Sequence, residues 1–271
     1  MADFLEIARG PAPLLVSVPH TGTEIPPEIE ADLVSPWLAR KDTDWWIDKL
    51  YGFAGGLGAT TIRTPISRTV IDVNRDPSGA SLYPGRATTG LCPTETFDGE
   101  PLYRPGREPG EAEIARRRRL YFDPYHAALA AEIGRLRKAH PRIVLYDCHS
   151  IRSVVPRLFD GELPHMNIGT NSGASCDSGL QRQIEEVCAG SQFSCVANGR
   201  FKGGWITRHC GRPEEGVHAV QMELACRGYM EEPPEVNRTS WPGMCDRAAA
   251  EPMRRLCETL LVACIGFAAA L

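Results

Sequence analysis

The feature that most constrains this chain is an alternation. Short runs rich in Val, Ile and Thr occur at Leu14–Pro19, Ala59–Thr64, Thr69–Asn74, Arg142–Asp147, Phe193–Asn198 and Val217–Leu224, each bounded by Gly, Pro or polar residues. Those are strand signals. Between and around them lie helix-patterned stretches at Thr43–Phe53, Gly110–His140, Asp177–Ala189 and Arg247–Ala270. In the second of these, Leu120, Ala127, Leu129 and Ile133 recur at the spacing of one buried face. Pro124 has no amide hydrogen, so it should kink that helix or mark its restart. Strands alternating with helices imply an α/β fold, with a mostly parallel or mixed sheet covered on both faces.

A chain of 271 residues, 42% of them hydrophobic, can bury the core of one such domain. No repeat or compositional break divides it, and residues 1–271 are expected to form a single unit. A net charge of −4 gives no basic excess, which argues against nucleic acid as a partner. The apolar run "LCETLLVACIGFAAAL" contains Glu258 and is shorter than the roughly 20 residues of a membrane span. A core helix is expected there, with no membrane partner and a cytoplasmic location. The ten cysteines form no C-x-x-C pair and are expected to be free thiols. The segment from Asp76 to Gly110 has Gly and Pro throughout without periodicity, as loops that move or serve a site often do.

The chemistry-bearing residues gather at strand ends. "LLVSVPHTG" delivers His20, and "VLYDCHS" delivers Asp147, Cys148, His149 and Ser150. In open α/β sheets, ligands bind beyond the carboxyl ends of strands. Two imidazoles, one carboxylate and an open position make a catalytic zinc site. His20 and His149 supply the nitrogens; Glu24, Asp42, Asp44 and Asp147 are the carboxylate candidates, and Asp147 could instead orient the His149 ring. Arg68, Arg75 with its neighbour Asn74, and Arg208 could bind a carboxylate or form structural ion pairs. Gly203-Gly204 permits a mobile loop or a close backbone approach. Gln221 and Glu223 share one face of a strand, which suits a cavity wall or a wet edge; a desolvated glutamate there would have a raised pKa. A cysteine hydrolase built on Cys148 and His149 is disfavoured, because neighbours on a strand point to opposite faces.

In their order, "SVPHTGTEIPPEI", "KDTDWWIDKLY", "GATTIRTPISRTVIDVNRDPSGASLYPG", "LYDCHSI", "NIGTNSGASCD" and "RFKGGWITRHCGRPEEGVHAVQMELACRGYM" resemble the N-formylglutamate deformylase (N-formylglutamate amidohydrolase) family over most of the chain. The resemblance implies a three-layer α/β/α fold around a mixed sheet, related to zinc carboxypeptidases and aspartoacylases. It also implies hydrolysis of N-formyl-L-glutamate to L-glutamate and formate in histidine breakdown, with a divalent metal, expected to be zinc from the family kinship. By position it implies His20 and His149 as metal ligands, Asn74 and Arg75 as a clamp on the substrate carboxylate, Arg68 at the scissile carbonyl, and Glu223 as general base and acid. Arg208 is added to the substrate-binding set. The relatives carry an acidic ligand three residues after the first histidine, where this chain has Thr23, so Asp44, ahead of Asp42, is taken as the third ligand. A deacylase for another N-acyl amino acid and a non-catalytic amino-acid-binding relative are the alternatives.

Overall fold

The computed structural model describes residues 4–270. Its centre is a seven-stranded mixed sheet in the order β1-β3-β2-β4-β7-β5-β6. The strands are β1 (Glu6–Ala8), β2 (Leu14–Val18), β3 (Thr60–Arg63), β4 (Ile143–Ile151), β5 (Met166–Gly169), β6 (Cys195–Ala197) and β7 (Val217–Ala225). The core strands β3, β2, β4 and β7 run parallel, whereas β1 and β5 pair antiparallel with β3 and β7. The helices are α1 (Pro27–Glu30), α2 (Ile47–Leu50), α3 (Glu111–Arg117), α4 (Asp123–Ala139), α5 (Ser178–Ala189), α6 (Trp205–Cys210) and α7 (Arg247–Ala269).

The period-two alternation of the strands sorts their side chains into two apolar layers. Leu14, Val16, Val144, Tyr146, Cys148, Val220 and Met222 pack with Leu180 and Ile184 of α5 and Leu260 and Cys264 of α7. Leu15, Ile62, Ile143, Leu145 and Ala219 pack with Tyr125, Leu129, Ile133 and Leu136 of α4 and Ile206 of α6. This is the expected three-layer α/β/α arrangement.

The second face changes character along its strands. Register places Leu15 beside Leu145 and Ala219 in one row, and Ser17 beside Asp147 and Gln221 in the next. His149 lies beside Glu223 in the row after that. The amino half of this face is core and the carboxyl half is polar, so the sheet itself delivers a site.

Several elements differ from the sequence expectation, each for a local reason. Thr69–Asn74 forms turns instead of a strand, because the Asp72 carboxylate accepts the Asn74 amide two residues on, at 2.9 Å. Such side-chain bonds compete with ladder formation. In the expected Thr43–Phe53 helix only α2 is helical: Trp46 is left-handed (φ 65°), and the Asp44 amide donates to the His20 carbonyl at 3.0 Å. The expected Gly110–His140 helix is interrupted by a π-helical turn at Arg118–Phe122, and Pro124 falls in the first turn of α4. There its missing hydrogen bond and ring bulk are accommodated by the wider turn. β4 extends four residues beyond Asp147, so His149 sits within the strand. The short strands β1 and β5 and the six-residue helix α6 carried no periodicity long enough to recognise.

Gly169 explains how the Lys202–Gly204 backbone reaches the sheet. A Cβ on Gly169 would lie 2.5 Å from the Gly203 amide nitrogen and 2.8 Å from the Lys202 carbonyl carbon. Gly169→Ala is therefore expected to destabilise the protein by about 1–3 kcal/mol through overpacking. Urea unfolding checks this; an unchanged midpoint would show that the approach is not tight.

Candidate active site

Four elements converge at the polar end of the sheet. β2 runs out at His20, β4 carries Asp147 and His149, and β7 carries Gln221 and Glu223. The fourth is the turn segment around Arg68, Asp72 and Asn74, laid across the strand ends.

The two imidazoles are oriented by carboxylates. His20 Nε2 is 2.8 Å from Asp72 Oδ1, and His149 Nε2 is 2.8 Å from Asp147 Oδ2. A carboxylate only accepts, so both Nε2 atoms carry the proton. In the neutral rings that leaves both Nδ1 lone pairs bare. These two nitrogens stand 3.1 Å apart, and Asp44 Oδ2 lies 3.1 Å from His149 Nδ1 and 3.6 Å from His20 Nδ1. With both rings neutral, three acceptors face one another, an arrangement that repels itself unless a proton on one Nδ1 or a metal cation sits among them.

The spacing fits one. Zinc bound at about 2.0–2.1 Å in a tetrahedron sets its ligand atoms roughly 3.3 Å apart. Of the sequence candidates for the carboxylate, Asp44 alone faces the histidines. Asp42 instead accepts the Phe97 amide at 2.6 Å and lies 3.5 Å from Arg152, and Glu24 is exposed. Asp147 takes the orienting position, accepting also from Ser17 Oγ at 2.7 Å. His20, Asp44 and His149, all buried, form a cluster that could hold a metal ion.

The surroundings attract positive charge. Burial opposes the charged form of His149, yet Asp147, Asp44 and Glu223 together push its pKa well above the usual imidazole value. Burial likewise opposes the ionised form of Asp72, while Arg75, His20 and Arg68 hold it well below the carboxylate range. Arg68 is a buckle between the aspartates, 3.2 Å from Asp44 Oδ1 and 2.7 Å from Asp72 Oδ2, with its guanidinium over the Phe97 ring.

Glu223 behaves differently. Burial raises its pKa to about 7, further raised by Asp44 and opposed by His149, Arg68 and Arg75. Gln221 fixes its position, donating from Nε2 to Glu223 Oε2 at 3.1 Å while its Oε1 accepts the Gly204 amide at 2.7 Å.

One cavity is lined by His20, Arg68, Arg75, His149 and Glu223, with Asn74 and Gln221 in its wall. Asn74 is held in that wall: its Oδ1 accepts the Ile206 amide at 2.8 Å, and its Nδ2 lies 3.0 Å from His149 Nε2 and 3.4 Å from Asp147 Oδ2 and from Gln221 Oε1. Gly204 packs so closely on it that a Cβ would meet the carboxamide at 2.4 Å, which makes Gly203-Gly204 a close approach and not a free hinge. Arg75 reaches the cavity with Nε and Nη2 on the Thr89 carbonyl and hydroxyl, at 3.1 and 3.0 Å.

Arg208 is not among the lining residues. It sits in α6, and its Nε turns back to the Gly203 carbonyl at 2.8 Å while its guanidinium lies over Tyr83. Arg200, which sequence reasoning passed over, lines the cavity instead. Asp72, which falls within the stretch expected to be a strand, holds His20; its signal in the sequence is the D-x-N turn pattern. Cys148 faces the opposite layer, and burial puts its thiol pKa well above normal, so it has no part in the site.

A mixed α/β sheet whose carboxyl edge gathers two buried imidazoles, a carboxylate and a desolvated glutamate defines an α/β protein with a candidate metal pocket. The N-formylglutamate amidohydrolase family profile matches residues 12–230. A Pseudomonas aeruginosa protein named N-formylglutamate deformylase is 51% identical over 233 residues, covering 86% of this chain and 87% of the relative. A Pseudomonas putida protein of the same name is 47% identical over 233 residues, with the same 86% and 87% coverage. Among solved structures, N-formylglutamate amidohydrolase from Ralstonia eutropha JMP134 shares the fold with a TM-score of 0.80 at 24% identity, covering 99% of this chain and 98% of that one. A gene product of Agrobacterium tumefaciens does so with a TM-score of 0.71 at 15% identity, covering 97% and 94%. The chain belongs to the N-formylglutamate amidohydrolase family.

The orienting carboxylates lead to a measurable expectation. In Asp147→Asn the amide group can donate to His149 Nε2 and favour the tautomer protonated on Nδ1. Divalent-cation affinity should then fall ~10–100-fold, as read by equilibrium dialysis with metal analysis. Undiminished affinity would show that Asp147 does not set the ring.

Proposed function

We propose that this protein hydrolyses N-formyl-L-glutamate to L-glutamate and formate, with zinc held by His20, Asp44 and His149. The observation that carries the reading is one cavity lined by His20, His149 and a glutamate with a pKa raised to about 7, with Asp44 completing the three-donor cluster beside it, in a chain of this family. Two nitrogens and one carboxylate oxygen suit zinc and leave a position open. When bound, such a cation makes water a nucleophile near neutral pH and polarises the formyl carbonyl.

The chain's own residues do the rest. Glu223, poised near neutrality, takes a proton as the water oxygen bonds to the formyl carbon. It returns that proton to the substrate nitrogen as the carbon–nitrogen bond breaks, releasing formate and the free amine. Gln221 keeps the carboxylate aimed during both transfers. Arg68 has guanidinium hydrogens beyond those engaged by Asp44 and Asp72, and lines the cavity where oxyanion charge develops. Arg75 binds the α-carboxylate, and Asn74 keeps the wall beside it in place. Residues 1–271 act as one catalytic unit. We place it in the cytoplasm, where its ten cysteines, all free, stay reduced. No helix among the described residues is long and apolar enough to cross a membrane.

The test is formate release from N-formyl-L-glutamate by purified protein before and after chelation. Activity should disappear with the metal and return with zinc; full turnover by metal-free protein would end this reading. Glu223→Gln should lower kcat by ~10²–10⁴-fold while metal content stays stoichiometric. Glu223 is the base only when ionised, so kcat/KM in the unmodified protein should fall as pH drops through about 7 or below, since a bound cation draws the pKa down. The variant should lose that acidic limb; a limb that persists unchanged in Glu223→Gln assigns it to another group.

A further inference from the structure

Arg200 stands out among the cationic groups. It follows β6 in a loop, and its guanidinium lies 5.3 Å from the Tyr83 ring centroid and 5.2 Å from that of Phe201. Nε donates to the Leu158 carbonyl at 2.7 Å and Nη2 to the Ala87 carbonyl at 3.1 Å. These bonds hold the fork without neutralising it. Among the described residues no carboxylate forms an ion pair with Arg200, in contrast to Arg68 and Arg75. Burial and the nearby cations Arg86 and Arg75 lower its pKa. A half-buried guanidinium, fixed by neutral carbonyls and facing a cavity that already holds two arginines, lacks only an anion.

The wall around it says which anion. Arg75 belongs to the metal side of the cavity: it adjoins Asn74 and lies 3.7 Å from Asp72, which orients His20. An α-carboxylate, one bond from the carbon that bears the reacting amide, must sit on that side. Arg200 is surrounded by Ala87, Leu158, Phe201 and Tyr83. Apolar wall followed by a planar cation is complementary to two methylenes followed by a carboxylate.

We propose that Arg200 binds the side-chain carboxylate of the N-acyl amino acid substrate and is the residue that selects an acidic side chain of glutamate length. This rests on the deformylase reading and deepens it. Tyr83 makes the subsite a joint product of two loops. Its hydroxyl donates to the Gly203 carbonyl at 3.1 Å and accepts the Lys202 amide at 3.1 Å, so the 76–90 segment closes against the 200–204 segment around the guanidinium.

The experiment compares kcat/KM for N-formyl-L-glutamate and the isosteric, uncharged N-formyl-L-glutamine in the metal-loaded protein. Unmodified protein should prefer glutamate by ~100-fold or more, the scale on which an unpaired polar group in a built site rejects an analogue. Arg200→Met should erase most of that preference by slowing glutamate turnover, with N-formyl-L-glutamine cleaved within ~10-fold of the original rate, which also shows that the variant is folded. Arg200→Lys keeps a cation without the fork and should fall between. The proposal is overturned if Arg200→Met and Arg200→Lys both keep the full preference, or if Arg208→Met erases it instead. It also falls, with the deformylase reading intact, if unmodified protein cleaves both substrates equally well. If unmodified, metal-loaded protein releases formate from neither substrate, the deformylase reading itself fails and takes this one with it.

Discussion

The two carboxylate–imidazole contacts, Asp72 with His20 and Asp147 with His149, are what the rest of the site depends on. Each fixes a proton on Nε2 and so bares Nδ1 toward the same point. Without them the rings could take either tautomer, and the three-donor cluster with Asp44 would have no reason to converge on a cation. Both contacts are buried, where a carboxylate without partners would be costly. Asp147 is satisfied by Ser17, whose Oγ in turn accepts from Tyr125 of α4 at 3.0 Å. Asp72 is satisfied by Arg68 and the Asn74 amide. The helix layer therefore reaches His149 through Ser17 and Asp147, and the turn segment reaches His20 directly through Asp72.

Charge balance follows from that arrangement. Asp44, Asp72 and Asp147 surround the histidines, and among the described residues only Arg68 and, at 3.7 Å, Arg75 form arginine ion pairs with them. The negative excess is what pushes the His149 pKa up, and a divalent cation between the Nδ1 atoms would answer the same need. Glu223 lies just outside this balance. Its carboxyl is raised toward neutrality by burial, with Asp44 adding to the shift, while His149 and Arg68 restrain it. One strand register, His149 beside Glu223, thus sets an oriented imidazole next to a carboxyl raised toward neutrality. That adjacency comes from parallel pairing of β4 with β7, which no local motif encodes.

Legibility in the sequence tracked the range of the forces involved. The strands β2, β4 and β7 were readable because their burial pattern is written in consecutive residues, and so was the pairing of His20 with His149 at strand ends. Asp72 was misread because "TVIDVN" alternates like a strand, yet the Asp72 side chain captures the Asn74 amide and turns the chain. Asp44 could be put ahead of Asp42 only weakly, since both share one polar segment. The decision lies in the left-handed Trp46 and the tie of the Asp44 amide to the His20 carbonyl, both set by tertiary packing. The choice between Arg200 and Arg208 was beyond reach for a similar reason. α6 is too short to show periodicity, but it aims Arg208 back at the Gly203 carbonyl.

The cavity that results has two poles of opposite design. At the pole around the histidines the polar side chains are tied to one another by hydrogen bonds: Arg68 to two aspartates, His20 to Asp72, His149 to Asp147, and Asp44 to Arg68 and the Ser150 amide at 3.2 Å. At the far pole Arg200 is held only by carbonyl oxygens and aromatic faces. The bonded network around the histidines holds its side chains in place. A guanidinium without an opposite charge gains when an anion arrives, and under the proposed function that anion would be the substrate's side-chain carboxylate, at a distance from the bond that breaks. Binding energy realised away from the reacting atoms can position those atoms against Glu223. Separating the two tasks lets one face of the sheet serve both.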